Sequence, residues 1–328
     1  MVYVAGVDGG ATKTICVISD KEGKILGVGR SGPSNYHIVG IEGAKRSLRE
    51  AILSAIKDAC VEIKKLEVAC FGLAGVDYPE DKERAQKFIE ELGLAEKVVV
   101  VHDTHIALMG ATAGKPGVIV IAGTGSVSAG IDEKGRYVRS GGWGYILGDE
   151  GSAYDIARRG LIAALRARDG RGKPTVLVEK FMKALNLKHL EELIRKVYVE
   201  RMGATEIASL APIVSEAASE GDEVAREILD SAGRELALLA IAVIRRLNME
   251  DKEFPIALIG GAFRAGEPLM KAFKEEVLRV APKAKITEPR YPPAVGALLI
   301  ALQEAGVRIS DSVLKNIEET LDKVRKIY

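Results

Sequence analysis

The 328-residue sequence predicts an α/β protein built from two similar halves, and two observations carry this prediction. One layout occurs twice, at positions 2–23 and 117–135: an apolar run, a turn of glycine and hydroxyl residues, a second apolar run and an acidic glycine turn. After each copy, helical patterns alternate with single apolar runs. Each copy therefore predicts strand, glycine turn, strand, hairpin and strand, followed by helices and further strands.

Composition restricts the functional classes. The net charge of +1 gives no reason to expect binding to nucleic acid or to a membrane through bulk electrostatics. No apolar stretch reaches the roughly 18 residues of a spanning helix, and the start of the chain lacks a signal-peptide pattern, so we expect a cytoplasmic protein. Cys16, Cys60 and Cys70 are too few and too far apart for a disulfide framework or a CxxC metal site. Abundant lysine and glutamate with scarce asparagine and glutamine favour a thermophilic source.

The first half alternates helices with strands after its three-strand unit. Apolar residues recur four positions apart at Ala44, Leu48, Ile52 and Ile56, which predicts a helix. The predicted elements are a helix at 40–59, a strand at 68–72, a helix at 80–92, a strand at 97–101 and a helix at 105–113.

The second half carries a helical insertion. The chain is predicted to be helical almost throughout 151–248, with breaks near 170–174 and 221–222. A strand at 255–259 and helices at 267–280, 294–305 and 310–326 follow. The length suggests about two domains, and the Gly-Lys-Pro sequence at 114–116 marks a boundary, so we expect domains at 1–113 and 114–328. The last helix could pack back on the first domain.

The two glycine turns carry the main functional signal. Glycine lets a ligand approach the backbone closely, and successive N–H groups in such turns form concavities that bind anions. Asp8 follows a buried strand, and a carboxylate beside phosphates usually acts through Mg²⁺, often across a water molecule. Two turns that face each other could hold a polyphosphate from both sides. Either turn alone could equally be an ordinary hairpin, and neither fits the Walker A pattern.

The paired units resemble the actin, hexokinase and heat-shock-chaperone ATPase superfamily. The string at 141–153, Gly-Gly-Trp-Gly-Tyr-Ile-Leu-Gly-Asp-Glu-Gly-Ser-Ala, more narrowly resembles the N-acetylglucosamine kinase and archaeal hexokinase family, which is related to the ATPase activators of benzoyl-CoA reductases. The matching segments are 8–14, 35–37, 72–77, 102–103, 122–126, 141–153 and 260–264. The resemblance implies duplicated ribonuclease-H-like domains with a nucleotide cleft between them.

The resemblance also implies the site. Asp103 would be the base that accepts a proton from the 6-hydroxyl of a sugar, and Asp8 would organise Mg²⁺ through water. ATP would be held by residues of the two turns and of a later glycine pair: Gly10, Thr12, Lys13, Thr124, Gly125, Ser126, Gly260 and Gly261. The sugar would be bound by Asn35, Asp103, Gly142 and Asp149. A homodimer is expected by analogy with the family.

Simpler interpretations of these residues stay open. Asp103 could cap the helix that follows it, and Asn35 could serve only the turn in which it lies. Lys13 could point to solvent instead of phosphate. Gly260 and Gly261 could form a plain strand-to-helix turn. Trp143, the only tryptophan, could wall the sugar or pack at a domain edge.

Two positions depart from the family. Mammalian-type N-acetylglucosamine kinases carry an asparagine where this chain has Val127 and a serine where it has Ala74, and both help recognise the acetamido group. Loss of such polar groups relaxes specificity. The resemblance therefore implies a pocket that accepts glucose, glucosamine, mannose or N-acetylglucosamine. Glucosamine alone is the other option, because Asp103 and Asp149 make the pocket acidic.

Three functional hypotheses follow. The first is an ATP-dependent sugar 6-kinase. The second is an activator-type ATPase that couples hydrolysis to a partner; the three cysteines do not reproduce the iron–sulfur pattern of such activators. The third is a sugar-sensing regulator, which the retained aspartates and the lack of a helix-turn-helix domain disfavour.

Overall fold

The structure is a computed structural model that describes residues 2–328. The strands are β1 Tyr3–Gly9, β2 Thr14–Asp20, β3 Ile25–Ser31, β4 Leu66–Leu73, β5 Ala95–His102, β6 Gly117–Ala122, β7 Ser126–Ile131, β8 Tyr137–Gly141, β9 Pro255–Ile259 and β10 Lys285–Thr287. The helices are α1 Tyr36–Ala59, α2 Pro79–Glu90, α3 Asp103–Ala111, α4 Gly144–Leu147, α5 Ala153–Arg168, α6 Leu177–Ala184, α7 Ala204–Ala208, α8 Ala211–Ser219, α9 Glu223–Leu247, α10 Glu267–Val280, α11 Pro293–Glu304, α12 Asp311–Thr320 and α13 Asp322–Arg325.

The described chain divides into two compact units. Unit 1 contains the chain up to Lys115 together with Pro289–Tyr328, and unit 2 contains Pro116–Glu288. The chain thus leaves the first unit at Pro116 and returns to it at Pro289. Helices α11 to α13 belong to unit 1 by this division.

Both units have the same sheet. In unit 1 the strand order is β3-β2-β1-β4-β5, with β1, β2 and β3 antiparallel and with β4 and β5 parallel to β1. In unit 2 the order β8-β7-β6-β9-β10 repeats this arrangement, with β9 and β10 parallel to β6. The predicted α/β fold with a duplicated three-strand unit is confirmed. Strand β10 was not predicted, because its three residues are too few for a strand pattern.

The sheet of unit 1 is covered on both faces. Helices α1 and α2 pack on one face and α11 and α12 on the other, so that each face has its own apolar core. Helix α11 lies against the backbone of β1, where a Cβ atom on Gly6 would stand 2.2 Å from the amide nitrogen of Leu298. Glycine at this position is therefore what allows the helix to approach the strand so closely.

The core of unit 2 is one large cluster around α9. This 25-residue helix buries one face, including Leu229, Leu236 and Ile244. Helices α5, α6 and α8 extend the cluster away from the sheet. The predicted helical insertion is present as α5 to α9, with a 3₁₀ turn and a π turn between α6 and α7.

Three helix boundaries differ from the sequence prediction. Helix α1 begins at Tyr36 with Asn35 as its cap, and Gly40, where the predicted helix starts, is a kink with φ of 71° that divides a short first segment from the rest of the helix. Helix α3 begins at Asp103 rather than 105, because His102 caps it. The predicted helix at 310–326 is divided into α12 and α13 at Leu321.

Candidate active site

The first glycine turn joins β1 to β2 at the edge of unit 1. The Gly10 N–H donates to the Lys13 carbonyl at 3.0 Å, which closes the turn. The Gly10 carbonyl accepts from the N–H groups of Ser34 and Asn35, at 3.0 and 3.3 Å. Thr12 is exposed at the tip. The backbone thus ties the predicted phosphate turn to the segment that contains Asn35.

Asp8 lies near the carboxyl end of β1 and is half-buried. Its Oδ2 accepts a 2.8 Å hydrogen bond from the Tyr328 hydroxyl, which in turn accepts from the Ala294 N–H at 2.8 Å. Burial raises the pKa of Asp8 to about 6, and the negative charge of Asp103 also raises it. The hydrogen bond from Tyr328 and the charge of Lys13 lower it, but they do not offset the burial.

Lys13 contacts Tyr328 as well. Its Nζ donates to the Tyr328 carbonyl at 2.8 Å and lies 4.6 Å from the centre of the phenol ring. The side chain therefore neither extends freely into solvent nor approaches the tip of its own turn. Its role as a phosphate ligand stays a prediction that requires the lysine to leave Tyr328.

Asp103 is the first residue of α3, directly after β5. Its side chain is 40% exposed, and its Oδ1 lies 2.8 Å from His102 Nδ1. The helix cap is His102, whose Nδ1 accepts the Thr104 N–H at 3.1 Å. Since another residue performs the capping, Asp103 is available for chemistry.

The Asn35 segment is fixed against the loop after β4. Asn35 Oδ1 accepts the N–H of His37 at 3.0 Å, and His37 Nε2 lies 3.0 Å from the Gly75 carbonyl. A Cβ atom on Gly75, where φ is +81°, would stand 2.9 Å from Asn35 Oδ1. Both interpretations of Asn35 therefore remain compatible with the structure, since the capping oxygen leaves the amide NH₂ for a ligand.

Asp8 fits a magnesium ion that arrives with a nucleotide. Within residues 2–328, no group of three or more His, Cys, Asp or Glu side chains could hold a metal ion by itself. Magnesium usually keeps several waters and needs only one or two carboxylates besides substrate phosphates. A carboxyl group whose pKa is raised by burial lacks compensating positive charge, which such an ion would supply.

The second glycine turn joins β6 to β7 in unit 2. Thr124 is exposed, whereas Ser126 is 3% exposed and both of its donors are used inside the unit. The Ser126 N–H donates to Asp149 Oδ1 at 2.9 Å, and its hydroxyl donates to the Glu150 carbonyl at 2.8 Å. Thr124 and Gly125 are therefore the members of this turn that a phosphate can reach.

Asp149 is attached to this turn. It is 9% exposed, has φ of 63°, and would clash with any side chain on Gly125, since a Cβ atom there would lie 2.7 Å from its Oδ1. Burial raises the pKa of Asp149, and the hydrogen bond from the Ser126 N–H offsets part of this shift. Because Asp149 Oδ1 accepts the Ser126 N–H, a sugar hydroxyl would have to bind mainly to the other carboxylate oxygen. The predicted contact of Asp149 with the sugar stays a prediction.

Gly142 lies beside the substrate-related position 127. Its N–H donates to the Ser126 carbonyl at 2.9 Å, and a Cβ atom on it would stand 3.2 Å from Val127 Cγ2. Trp143 is 64% exposed, with the Arg139 guanidinium 6.0 Å from its ring centre. The tryptophan side chain is therefore largely open to solvent.

Gly260 and Gly261 follow β9 at the rim of a cavity. Gly260 has φ of 108°, and a Cβ atom on it would lie 2.3 Å from the Ala122 carbonyl oxygen. A cavity of about 360 Å³ is lined by Gly261 and by small or apolar neighbours that include Ala153, Ala208, Pro212 and Ala262. The lining is mainly apolar and also contains Ser209, Ser215 and Arg264, as in pockets that bind small organic ligands.

The sequence did not reveal two residues of this region. From the sequence, His102 is either a supporting or a solvated residue, and the structure places its Nδ1 2.8 Å from Asp103 Oδ1. Tyr328 gave no signal at all, because its partner Asp8 lies 320 positions away. The one possible signal in the sequence is a hydroxyl-bearing aromatic residue after a segment rich in charged residues.

Comparisons with known proteins show the family of the chain. The profile of the BadF/BadG/BcrA/BcrD ATPase family matches residues 5–301. The chain belongs to this family. Members of the BadF/BadG/BcrA/BcrD ATPase family can thus be expected to share its paired sheets.

Three relatives are similar over nearly the whole chain. An N-acetylmuramic acid/N-acetylglucosamine kinase of Clostridium acetobutylicum is 39% identical over 304 residues, 93% of this chain and 99% of that protein. An N-acetyl-D-glucosamine kinase of Dictyostelium discoideum is 35% identical, over 90% of this chain and 97% of that protein. The crystal structure of a putative N-acetylglucosamine kinase from Chromobacterium violaceum, 27% identical, aligns with a TM-score of 0.70 over 92% of this chain and 99% of the other.

Proposed function

We propose that this protein is an ATP-dependent sugar kinase that phosphorylates the 6-hydroxyl of a hexose or amino sugar. The observation that supports it most is the grouping in unit 1. Asp8 lies one residue before the end of β1, Gly75 and Asp103 follow β4 and β5, and the carboxyl ends of these parallel strands share one edge of the sheet. Ligands of α/β sheets bind at this edge.

Asp103 is the general base in this proposal. It accepts the proton of the sugar hydroxyl while the hydroxyl oxygen bonds to the terminal phosphorus and the bond from that phosphorus to ADP breaks. Catalysis of this reaction is mostly positioning and charge stabilisation. Asn35, which is tied to the first glycine turn through Gly10, orients the sugar.

ATP is the proposed phosphate donor. The exposed tips of the two turns, at Thr12 and Thr124, offer N–H and hydroxyl groups to phosphate oxygens. Asp8 would hold Mg²⁺ through water, and a bound Mg²⁺ would neutralise charge on the phosphates. The cavity beside Gly261 would take the adenine.

The activator alternative lacks support in the described residues. Cys16 and Cys70 are buried, and burial raises the pKa of both thiols. A ligand of an iron–sulfur cluster must be a thiolate, which this burial disfavours. Cys60 is exposed but lies at the end of α1, away from both glycine turns in the chain.

The identity of the sugar is the finer part of the proposal. Val127 replaces an asparagine of the mammalian-type kinases, and it lies against Gly142 as a purely apolar group. We propose that the pocket tolerates several substituents at the 2-position rather than selecting the acetamido group by a hydrogen bond. We also propose a homodimer, on the resemblance alone. No helix in residues 2–328 is long and apolar enough to cross a membrane.

A coupled ADP-release assay with a panel of sugars tests the function. The panel contains glucose, mannose, glucosamine, N-acetylglucosamine and N-acetylmuramic acid, each at several concentrations with Mg²⁺-ATP. We expect turnover that depends on at least one of them and a product phosphorylated at O6 by ³¹P NMR. The 6-deoxy analogue of the best substrate serves as the control. Absence of sugar-dependent ADP release across the panel would contradict the proposal.

A further inference from the structure

His102 caps helix α3 and also contacts Asp103, the proposed base. It is the last residue of β5 and the cap of α3, where its Nδ1 accepts the Thr104 N–H at 3.1 Å. Asn, Asp, Ser and Thr are the preferred caps, so capping alone does not account for an imidazole. The other contacts of the ring therefore indicate a second role.

The ring lies between two carboxylates. Nδ1 is 2.8 Å from Asp103 Oδ1, and Nε2 is 3.2 Å from Asp77 Oδ1. The His102 side chain is 19% exposed, whereas those of Asp77 and Asp103 are 41% and 40% exposed. The imidazole ring is thus mostly buried, whereas both carboxylates remain partly accessible to solvent.

The proton on Nδ1 decides what this nitrogen does. A neutral imidazole has a single N–H and can donate to only one of the two carboxylates, whereas the protonated ring donates to both. In the neutral form with the proton on Nε2, the single lone pair of Nδ1 accepts from the Thr104 N–H, and no hydrogen bond joins this nitrogen to Asp103. In the protonated form, Nδ1 gives up the Thr104 N–H and donates instead, with Asp103 Oδ1 at 2.8 Å and Thr104 Oγ1 at 2.7 Å as its acceptors.

We propose that protonated His102 is a positioning residue for phosphoryl transfer. It holds one carboxylate oxygen of Asp103 and leaves the other to accept the proton of the sugar hydroxyl. Asp77 holds the opposite nitrogen and keeps the ring in this orientation. The inference rests on the proposed kinase function, and it adds a pH dependence that Asp103 alone does not provide.

Two carboxylates and one histidine face the ring. The titratable groups that face it are Asp77 from the loop after β4 and Asp103 and His105 from α3. Burial lowers the pKa of His105 to about 4, with smaller effects of Lys82 on α2 and of His102, so His105 is neutral at pH 7. Two carboxylates therefore act on His102 without an opposing imidazolium.

His102→Asn separates capping from positioning. Asparagine is a preferred cap and can accept the Thr104 N–H, but it carries no charge and is too short to bridge Asp77 and Asp103. Capping alone would leave kinetics unchanged. We expect an unchanged melting temperature, a kcat roughly 10- to 100-fold lower, and a KM for the sugar that changes by less than about threefold.

The pH profile of kcat distinguishes the two roles further. The wild type should lose activity on the alkaline side as His102 deprotonates and releases Asp103, and His102→Asn should lack this decline. Asp77→Asn should move the decline to lower pH, because the ring loses a carboxylate that stabilises its charge.

The outcomes are separable from those of the kinase proposal. If the wild type phosphorylates sugar and His102→Asn matches it in kcat and in pH profile, the positioning role is overturned and the kinase proposal stands. If the wild type shows no sugar-dependent turnover, both are overturned.

Discussion

Asp8 is a carboxyl group whose pKa is shifted in opposite directions by its burial and by its neighbours. Burial raises its pKa to about 6, and the Tyr328 hydroxyl provides the hydrogen bond that opposes this most. Tyr328 also takes up Lys13, through its carbonyl and its ring. Asp8, Lys13 and Tyr328 thus form one contact group, and the state of the tyrosine affects both predicted ligands of the Mg²⁺-nucleotide.

Tyr328→Phe should weaken the use of Mg²⁺. The change removes the donor to Asp8 Oδ2 while it keeps the ring over Lys13, so the pKa of Asp8 should rise further and more of it should be protonated near neutral pH. We expect the Mg²⁺ concentration for half-maximal activity to increase by about tenfold at pH 6 and by less at pH 8. Tyr198→Phe, at a tyrosine that is 77% exposed in unit 2, is the matched control. Equal Mg²⁺ dependence at both pH values would refute the role of the hydroxyl.

The residues that the sequence could predict are those at strand ends. Asp8 and Asp103 each follow an apolar run, so their position at a sheet edge is local information. The contacts of Tyr328 with Asp8 and of Asp149 with Ser126 depend on how distant segments pack, and no spacing rule reports them. The catalytic and binding roles of these residues stay predictions.

At the scale of elements, α3 is held in place by the chain that returns to unit 1. The Tyr291 N–H donates to the Gly110 carbonyl at 3.1 Å, and a Cβ atom on Gly296 would lie 1.8 Å from the Ile106 carbonyl oxygen. Helices α3 and α11 therefore touch backbone to backbone. Since Asp103 is the first residue of α3, this contact helps to set where the proposed base lies.

Gly296→Ala should disturb both stability and activity. The added methyl group meets backbone atoms that cannot rotate away, so the helices must separate. We expect a loss of about 3 kcal/mol in the free energy of unfolding and a lower kcat, because α3 carries Asp103. Gly203→Ala is the control, because this glycine lies at an exposed helix start where an added Cβ atom would be 3.7 Å from Glu206 Oε2. Denaturant unfolding and the sugar assay measure both; a variant as stable as the control would contradict the close contact.

Helix existence followed from apolar spacing, whereas helix beginnings depended on caps. The helices capped by Asn35 and His102 begin four and two residues earlier than the apolar pattern indicates. Local periodicity could not predict that α11 packs in unit 1. This helix is buried on nearly all sides, so its apolar pattern does not indicate which element it packs against.

At the scale of the whole molecule, one sheet topology occurs twice with different coverings. The sequence repeat predicted the two three-strand units, and the structure adds the parallel strands in the same order. Stability of the whole chain should also depend on pH through buried titratable groups. His105 and Asp8 act in opposite directions, since the pKa of His105 is lowered and that of Asp8 is raised.

His105→Gln should reduce the acid sensitivity of the fold. Folded His105 has a pKa of about 4, below its unfolded value of 6.5, so the unfolded chain binds the extra proton between these values. His105 therefore costs the native state stability as pH falls through this window, by up to about 3 kcal/mol. Unfolding measured from pH 7 to 4.5 should show a smaller decline in His105→Gln than in the exposed-site control His189→Gln. Identical declines would contradict a buried neutral His105.

The central claim is that Asp103 accepts the proton of a sugar hydroxyl. Asp103→Asn keeps the size of the side chain and removes its basicity, so binding of nucleotide should persist while sugar phosphorylation falls by at least about 1000-fold. The decisive measurement is the coupled ADP-release rate of the wild type and of Asp103→Asn with the best sugar, alongside calorimetric binding of an ATP analogue to both. Normal nucleotide affinity with lost sugar-dependent turnover is the result we predict. Full turnover by Asp103→Asn would contradict the account.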